Sequence, residues 1–129
     1  MIKRTLGAAF VSASLLAGSA WAHHSLAGVY DIRGAGQVTG VVKKVEFINP
    51  HGVLTITVDN EDGSKTDWQF TTGSANVLSN LGIGRGGPNN VLEGDTITIA
   101  YMPARNGKPL GFIRSITLPN ATTIEIDPD

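Results

Sequence analysis

The sequence predicts an all-β domain with one short helix. Three observations carry that expectation. From residue 37 onward, runs of β-branched and other apolar residues alternate with polar ones at a period of two. Turns rich in Gly, Asn, Asp and Pro separate the runs. A single segment, near residues 74–82, spaces its apolar residues as a helix does.

The first strand runs from Gln37 to Ile48, "QVTGVVKKVEFI". Val38 and Val42 share one parity, with Gly40 between them, whereas Val45 and Phe47 share the other. A strand that changes parity needs an extra residue, most simply at Lys43-Lys44. A long, bulged, glycine-containing strand is what a small closed barrel needs to turn a corner. Asn49-Pro50-His51-Gly52 then breaks the pattern. In "VLTITV", Leu54, Ile56 and Val58 face one way. Asp59 to Ser64 is a polar turn, and Thr66, Trp68 and Phe70 line one face of the third strand.

Ser74 is the expected N-cap of the helix. Val77, Leu78 and Leu81 make its apolar stripe, and Gly82 ends it. Gly82 to Asn90 reads as a loop. Ile97, Ile99 and Tyr101 alternate in the fourth strand, Asn106-Gly107 turns the chain, and "LGFIRSITL" is the fifth strand. "TTIEI" offers a short sixth. Three strands, a helix, then two or three strands is the order of an OB-like five-stranded barrel. A small open β-sandwich is the alternative.

Residues 1–22 read as a signal peptide. Lys3 and Arg4 precede an apolar stretch from Thr5 to Ala17, and Ala20-Trp21-Ala22 is an A-x-A cleavage site. A membrane span needs about 20 apolar residues, more than this stretch offers. Cleavage after Ala20 and an uncleaved anchor are the competing readings. Cleavage after Ala22 leaves a single domain, 23–129. Losing Lys3 and Arg4 takes the basic residues from 10 to 8 against 11 acids, a net charge of −3. That balance disfavours nucleic acid as a partner. The chain has no cysteine, which excludes disulfides, thiolate metal sites and a lipidated cysteine. The expected location is the periplasm or outside the cell, in a bacterium, with peripheral or no membrane association after cleavage.

The chain holds three histidines, His23, His24 and His51. If cleavage makes His23 the first residue, it gains an α-amine, with a pKa of about 7.7–8.0, beside its imidazole. Amine and ring nitrogen can chelate one metal ion, and His51 would supply a third nitrogen. A planar or T-shaped set of nitrogens suits copper. His24 is an alternative ligand. Glu46 and Asn49 lie close enough in sequence to orient the His51 ring, although Glu46 has the competing option of an outer face shared with Lys44. A disordered N-terminus with His51 as an ordinary turn residue is the plainer reading.

No catalytic set emerges, because no serine or acid is placed beside a histidine by a recognisable motif. "GIGRGGPNN" lacks the strand-to-helix context of a phosphate loop. Asp59, Glu61 and Asp62 read as a solvated hairpin rather than a calcium loop. Trp68 belongs to the core or, if exposed, offers a stacking platform for a ligand.

Several motifs recur together: Ala22-His23-His24-Ser25, Tyr30-Asp31, Gly40 to Val45 leading to Asn49-Pro50-His51, Trp68, Asn76-Val77-Leu78, Gly94-Asp95, and Pro103 with Asn106-Gly107. Over most of the mature chain they resemble an uncharacterised family of small exported bacterial proteins, a domain-of-unknown-function family found mainly in Proteobacteria. The resemblance implies an exported barrel-like domain and matches all three histidines to pattern positions. It brings no activity with it. Relatives often carry an acid shortly after the tryptophan, where this chain has Gln69-Phe70-Thr71-Thr72. The loop from Gly84 to Asn90 is longer than the family's usual one. The expected function is therefore a periplasmic binding protein for copper or another transition metal. The alternative is a metal-free OB-type module for a small ligand or protein partner.

Overall fold

A computed structural model of the chain describes residues 26–126. The elements are β1 (Gly36–Glu46), β2 (Val53–Asp59), β3 (Lys65–Thr71), α1 (Ala75–Asn80), β4 (Thr96–Pro103), β5 (Leu110–Thr117) and β6 (Thr123–Glu125). The strands pair in the order β3-β2-β1-β4-β5-β6, and a parallel pairing of β3 with β5 closes the circuit. That closure makes a five-stranded barrel of OB order and excludes the open sandwich.

β1 holds the barrel together because it serves two partners. Its first half pairs with β4 and its second half with β2. Gly40 lies at the crossing, where a Cβ would come within 2.6 Å of the Thr57 carbonyl oxygen. Val42 faces Ile56 and Lys44 faces Thr55, which leaves Lys43 as the extra residue of a bulge. The bulge reverses the parity, so Val42 before it and Val45 after it both turn inward.

β5 has two edges. β4 takes one; β3 takes the other at residues 110–112, and β6 takes it over at residues 115–117. The short sixth strand therefore fills the gap that β3 leaves on departing for the helix. It also places Ile124 and Ile126 in the core.

The interior is filled by Leu54, Ile56, Phe70, Ile97, Ile99, Ile113 and Ile116, all fully buried. Helix α1 adds Leu78, whose burial stabilises by about 1.5–3 kcal/mol. The Ser74 hydroxyl caps the helix by accepting from the Val77 amide at 3.3 Å. Gly82, at φ +74°, ends it in the left-handed conformation that a side chain disfavours. Tyr101 completes the core, and its buried position raises its phenol pKa. At Gly36 a Cβ would come within 2.4 Å of the Tyr101 ring, and at Gly111 within 2.6 Å. These glycines are sites of close approach, not turns.

Candidate functional site

Outward-facing side chains align in register across four strands. One row is Lys44, Thr55, Gln69 and Leu110; the next is Glu46, Val53, Thr71 and Phe112. In the second row Phe112 points away from the barrel interior yet is only 4 % exposed. Met102, its partner on β4, and Ala104 are buried with it, outside the main core cluster.

What covers this outer patch is the segment before β1. Residues 26–29 form a helical turn, closed by the Tyr30 amide donating to the Leu26 carbonyl at 2.8 Å. Tyr30 then bridges to Ala104 and sets its ring edge-on to Phe112, with centroids 5.8 Å apart. The Tyr30 and Thr71 hydroxyls are 2.8 Å apart. The Asp31 amide donates to the Pro103 carbonyl, and the Arg105 amide to that of Val29. Two arginine side chains fasten the ends of this strap. Arg105 Nε donates to the Ala27 carbonyl at 2.7 Å and Arg114 Nη2 to the Ile32 carbonyl at 2.6 Å. Arg114 reaches outward because it is the extra residue of a second bulge, between the pairs Tyr101–Ile113 and Ala100–Ser115.

His51 stands beside the same patch. Its ring meets Phe112 edge-on, with centroids 6.3 Å apart. The turn that carries it contains a cis Asn49–Pro50 peptide and is tied at both ends. Gly52 exchanges backbone hydrogen bonds with Thr72 and Gly73, and Asn49 Oδ1 accepts from the Ala75 amide at 3.0 Å. Asn49 thus anchors the turn to the helix start. Glu46 lies on the outer face with Lys44, at 2.9 Å from its ammonium. His51 itself is exposed. Tyr30 is no farther from His51 than the two ring spacings laid end to end. The structure therefore brings Tyr30, Phe112, Thr71 and His51 into one neighbourhood.

His23, His24 and the segment 1–22 lie outside the described residues. Among the described residues, no three His, Asp or Glu side chains converge as a metal-binding group. None of their helices is long and apolar enough to cross a membrane.

Trp68 lies on the inward parity of β3, half-buried, stacked on Phe70 at 5.9 Å and tilted against Tyr101 at 5.4 Å. The outward positions beside it belong to Asp67 and Gln69. They line a groove of about 780 Å³ with Lys43, Lys44, Thr55, Glu93, Lys108, Pro109 and Leu110. Lys43 pairs with Asp67 across it at 2.5 Å, which holds the Asp67 carboxyl below the usual range; a hydrogen bond from Thr57 acts in the same direction. A second hollow, about 580 Å³, lies between α1, the glycine-rich loop and Val45 and Phe47. At the acidic hairpin, Asp62 accepts from Ser64, which lowers its pKa, and Lys65 pairs with Asp59. These contacts tie Asp59 and Asp62 into an exposed turn.

Phe112, Arg105, Arg114 and Thr71 escape the sequence reading. One signal for them was available: Arg114 interrupts an otherwise apolar strand, as a residue at a bulge does.

Barrel, strap and histidine turn together define a small closed β-barrel domain of OB topology with a covered patch on its outer face. The chain belongs to a family of unknown function, DUF6152, whose model matches residues 11–113 and so spans all three histidines, the strap and the groove-lining strands β1 to β3. No curated protein and no solved structure matches it.

Proposed function

We propose that the mature chain is a periplasmic or secreted bacterial protein that binds copper through the His23 amine and ring together with His51. His24 is the alternative ligand. The observation that supports this reading is the docking of the strap on Phe112, the ring that His51 touches. His23 precedes Leu26, the first described residue, by three positions, a reach of at most about 11 Å. Tyr30, four residues after Leu26, shares Phe112 as a neighbour with His51. The three nitrogens of His23 and His51, one of them a terminal amine that deprotonates at little cost near neutral pH, match the preference of copper. The protein would store or deliver the metal and would not turn over a substrate.

The test is titration of the mature protein, beginning at His23, with Cu(II) while EPR is recorded. One equivalent of copper with a nitrogen-rich spectrum is expected. That spectrum changes in His51→Ala and in a protein with one residue added before His23. If neither change alters it, the reading is overturned.

The groove over β1 to β3 favours a second reading, a metal-free module that takes a small polar ligand or a protein partner on that face. Its mixed lysine and carboxylate walls suit a ligand carrying both donors and acceptors. Nuclear magnetic resonance shifts confined to Lys43, Gln69 and Lys108 on ligand addition would support it.

A further inference from the structure

We infer that the hollow beside the second half of β1 takes the C-terminal residues of an extended peptide, with Arg85 receiving the terminal carboxylate. The site is independent of the copper reading and shares no lining residue with the groove over β1 to β3. Its first feature is a strand edge without a partner. β4 starts at Thr96, opposite Val41, and the Val42 amide donates to the Asp95 carbonyl, so the pairing with β1 stops at the bulge. Beyond the bulge β1 has β2 alone. The Gln69 amide donates to Pro109, on the β5 side, so Phe70 turns its backbone groups to β2, where Leu54 faces it. Leu54 is thereby engaged with β3. Val45, its partner on β1, directs its N–H and C=O away from β2, and among the described residues no hydrogen bond reaches them.

The second feature is an unfinished apolar wall. Val45 and Phe47 pack against the core yet stay only partly buried, and the exposed Leu92 lines the same hollow. The third is a cation without an anion. Arg85 lines the hollow, none of the other lining residues is acidic, and among the described residues no carboxylate pairs with it. The loop that carries Arg85 is preset. Asn89 donates from its amide to the Gly82 carbonyl and from its side chain to that of Leu81, both at 2.9 Å. Gly87 lies so close to Gly82 that a Cβ would come within 2.1 Å of the Gly82 carbonyl oxygen. An extended peptide ending in an apolar residue answers all three features. Its backbone adds to the strand edge at Val45, its last side chain covers Phe47 and Leu92, and its carboxylate meets the guanidinium. A fatty carboxylate answers only the last two.

The test is a nuclear magnetic resonance titration of the isotope-labelled mature protein, kept free of metal. The probes are acetyl-Ala-Val-Leu with a free carboxylate, the same tripeptide as its C-terminal carboxamide, and octanoate. The free acid is expected to move the amide signals of Val45, Phe47, Arg85 and Leu92 and to slow solvent exchange of the Val45 amide. It should bind roughly tenfold more tightly than the carboxamide, the worth of one charge-assisted contact. Arg85→Gln, at an exposed loop position, should melt like wild type and bind acid and carboxamide alike. Arg85→Lys recovers part of the difference. Equal binding of acid and carboxamide by wild type, or a preference for the acid that survives Arg85→Gln, overturns the inference. Octanoate bound as tightly as the tripeptide, with no slowing of exchange at Val45, overturns the peptide as occupant. Shifts that fall outside the hollow, or none at all, overturn the site.

Discussion

Phe112 and His51 meet edge to face across the outside of the barrel, their ring centroids 6.3 Å apart at 77°. Tyr30 meets the other side of the problem, setting its own ring against Phe112 at 71°. One phenylalanine that faces outward thus joins the histidine turn to the N-terminal strap. Replacing it tests that junction. Phe112→Ala is expected to destabilise the fold by about 3–5 kcal/mol, the range for removing a buried aromatic ring. Phe112→Leu, which keeps much of the volume, costs less. Chemical denaturation measures both. Hydrogen exchange at the Asp31 amide, bonded to Pro103, reports strap release separately. An Asp31 amide as protected in Phe112→Ala as in wild type would show that the ring does not hold the strap.

The Tyr30–Thr71 bond makes a smaller contribution of a different kind. Tyr30→Phe removes one hydroxyl and leaves the ring on Phe112, so a loss of about 0.5–1.5 kcal/mol is expected. Thr71→Val removes the partner with little change of shape. In the double variant the two losses should not add, because either one alone breaks the same bond. Additive losses in a thermal denaturation series would show that the hydroxyls do not depend on one another.

The pattern of strands was readable because each obeys one period and one burial rule. Val38, Val42 and Val45 reveal a bulge at Lys43-Lys44 through parity alone, and the pairing singles out Lys43 as the extra residue. Ser74 and Gly82 mark the helix by chemistry that acts within a few residues. Barrel closure was less legible, since the parallel pairing of β3 with β5 joins strands about forty residues apart and follows from no local signal. The histidine neighbourhood shows the same limit more sharply. Residue type alone singles out His51. Its contact is Phe112, which reads in sequence as one more apolar residue of a strand, and only the outward parity set by Phe70 and Gly111 makes it distinctive. Trp68 was ambiguous for a related reason. Both a core residue and a stacking platform are aromatic, and only pairing with Ile56 on the inward parity separates them.

Acid should weaken the fold through Asp67. Its pKa is lowered in the folded protein, first by the Lys43 hydrogen bond and then by that from Thr57. The folded carboxyl therefore holds its proton less readily than the unfolded one. The stability this gives is complete above the ordinary carboxylate range and declines as pH falls through it toward the lowered folded value. Asp62, lowered by Ser64, adds to the same trend. The melting temperature should accordingly drop across the acid range, and Lys43→Met should make the drop shallower. Both groups are exposed, so the effect is modest and shrinks in high salt. An identical pH profile for Lys43→Met and wild type would show that the pair contributes nothing.

Gly111 tests why the barrel needs glycine where its strands pass over Tyr101. A Cβ at Gly111 would lie 2.6 Å from Cδ2 of that ring, 3.0 Å from its Cγ and 3.1 Å from the Met102 carbonyl oxygen. The tyrosine cannot easily swing aside, because Trp68 and Phe70 pack against it at 5.4 and 5.1 Å. Gly111→Ala is therefore expected to destabilise by about 1–3 kcal/mol, as overpacking does. Tyr101→Ala is destabilising by itself, since it removes a ring from the core. It also removes the nearest obstacle to the new methyl group. In a Tyr101→Ala background, Gly111→Ala should then cost clearly less than in wild type, leaving mainly the 3.1 Å contact with the Met102 carbonyl oxygen. Chemical denaturation of the four proteins measures the difference. Equal costs in the two backgrounds would locate the obstacle in the backbone instead of the ring.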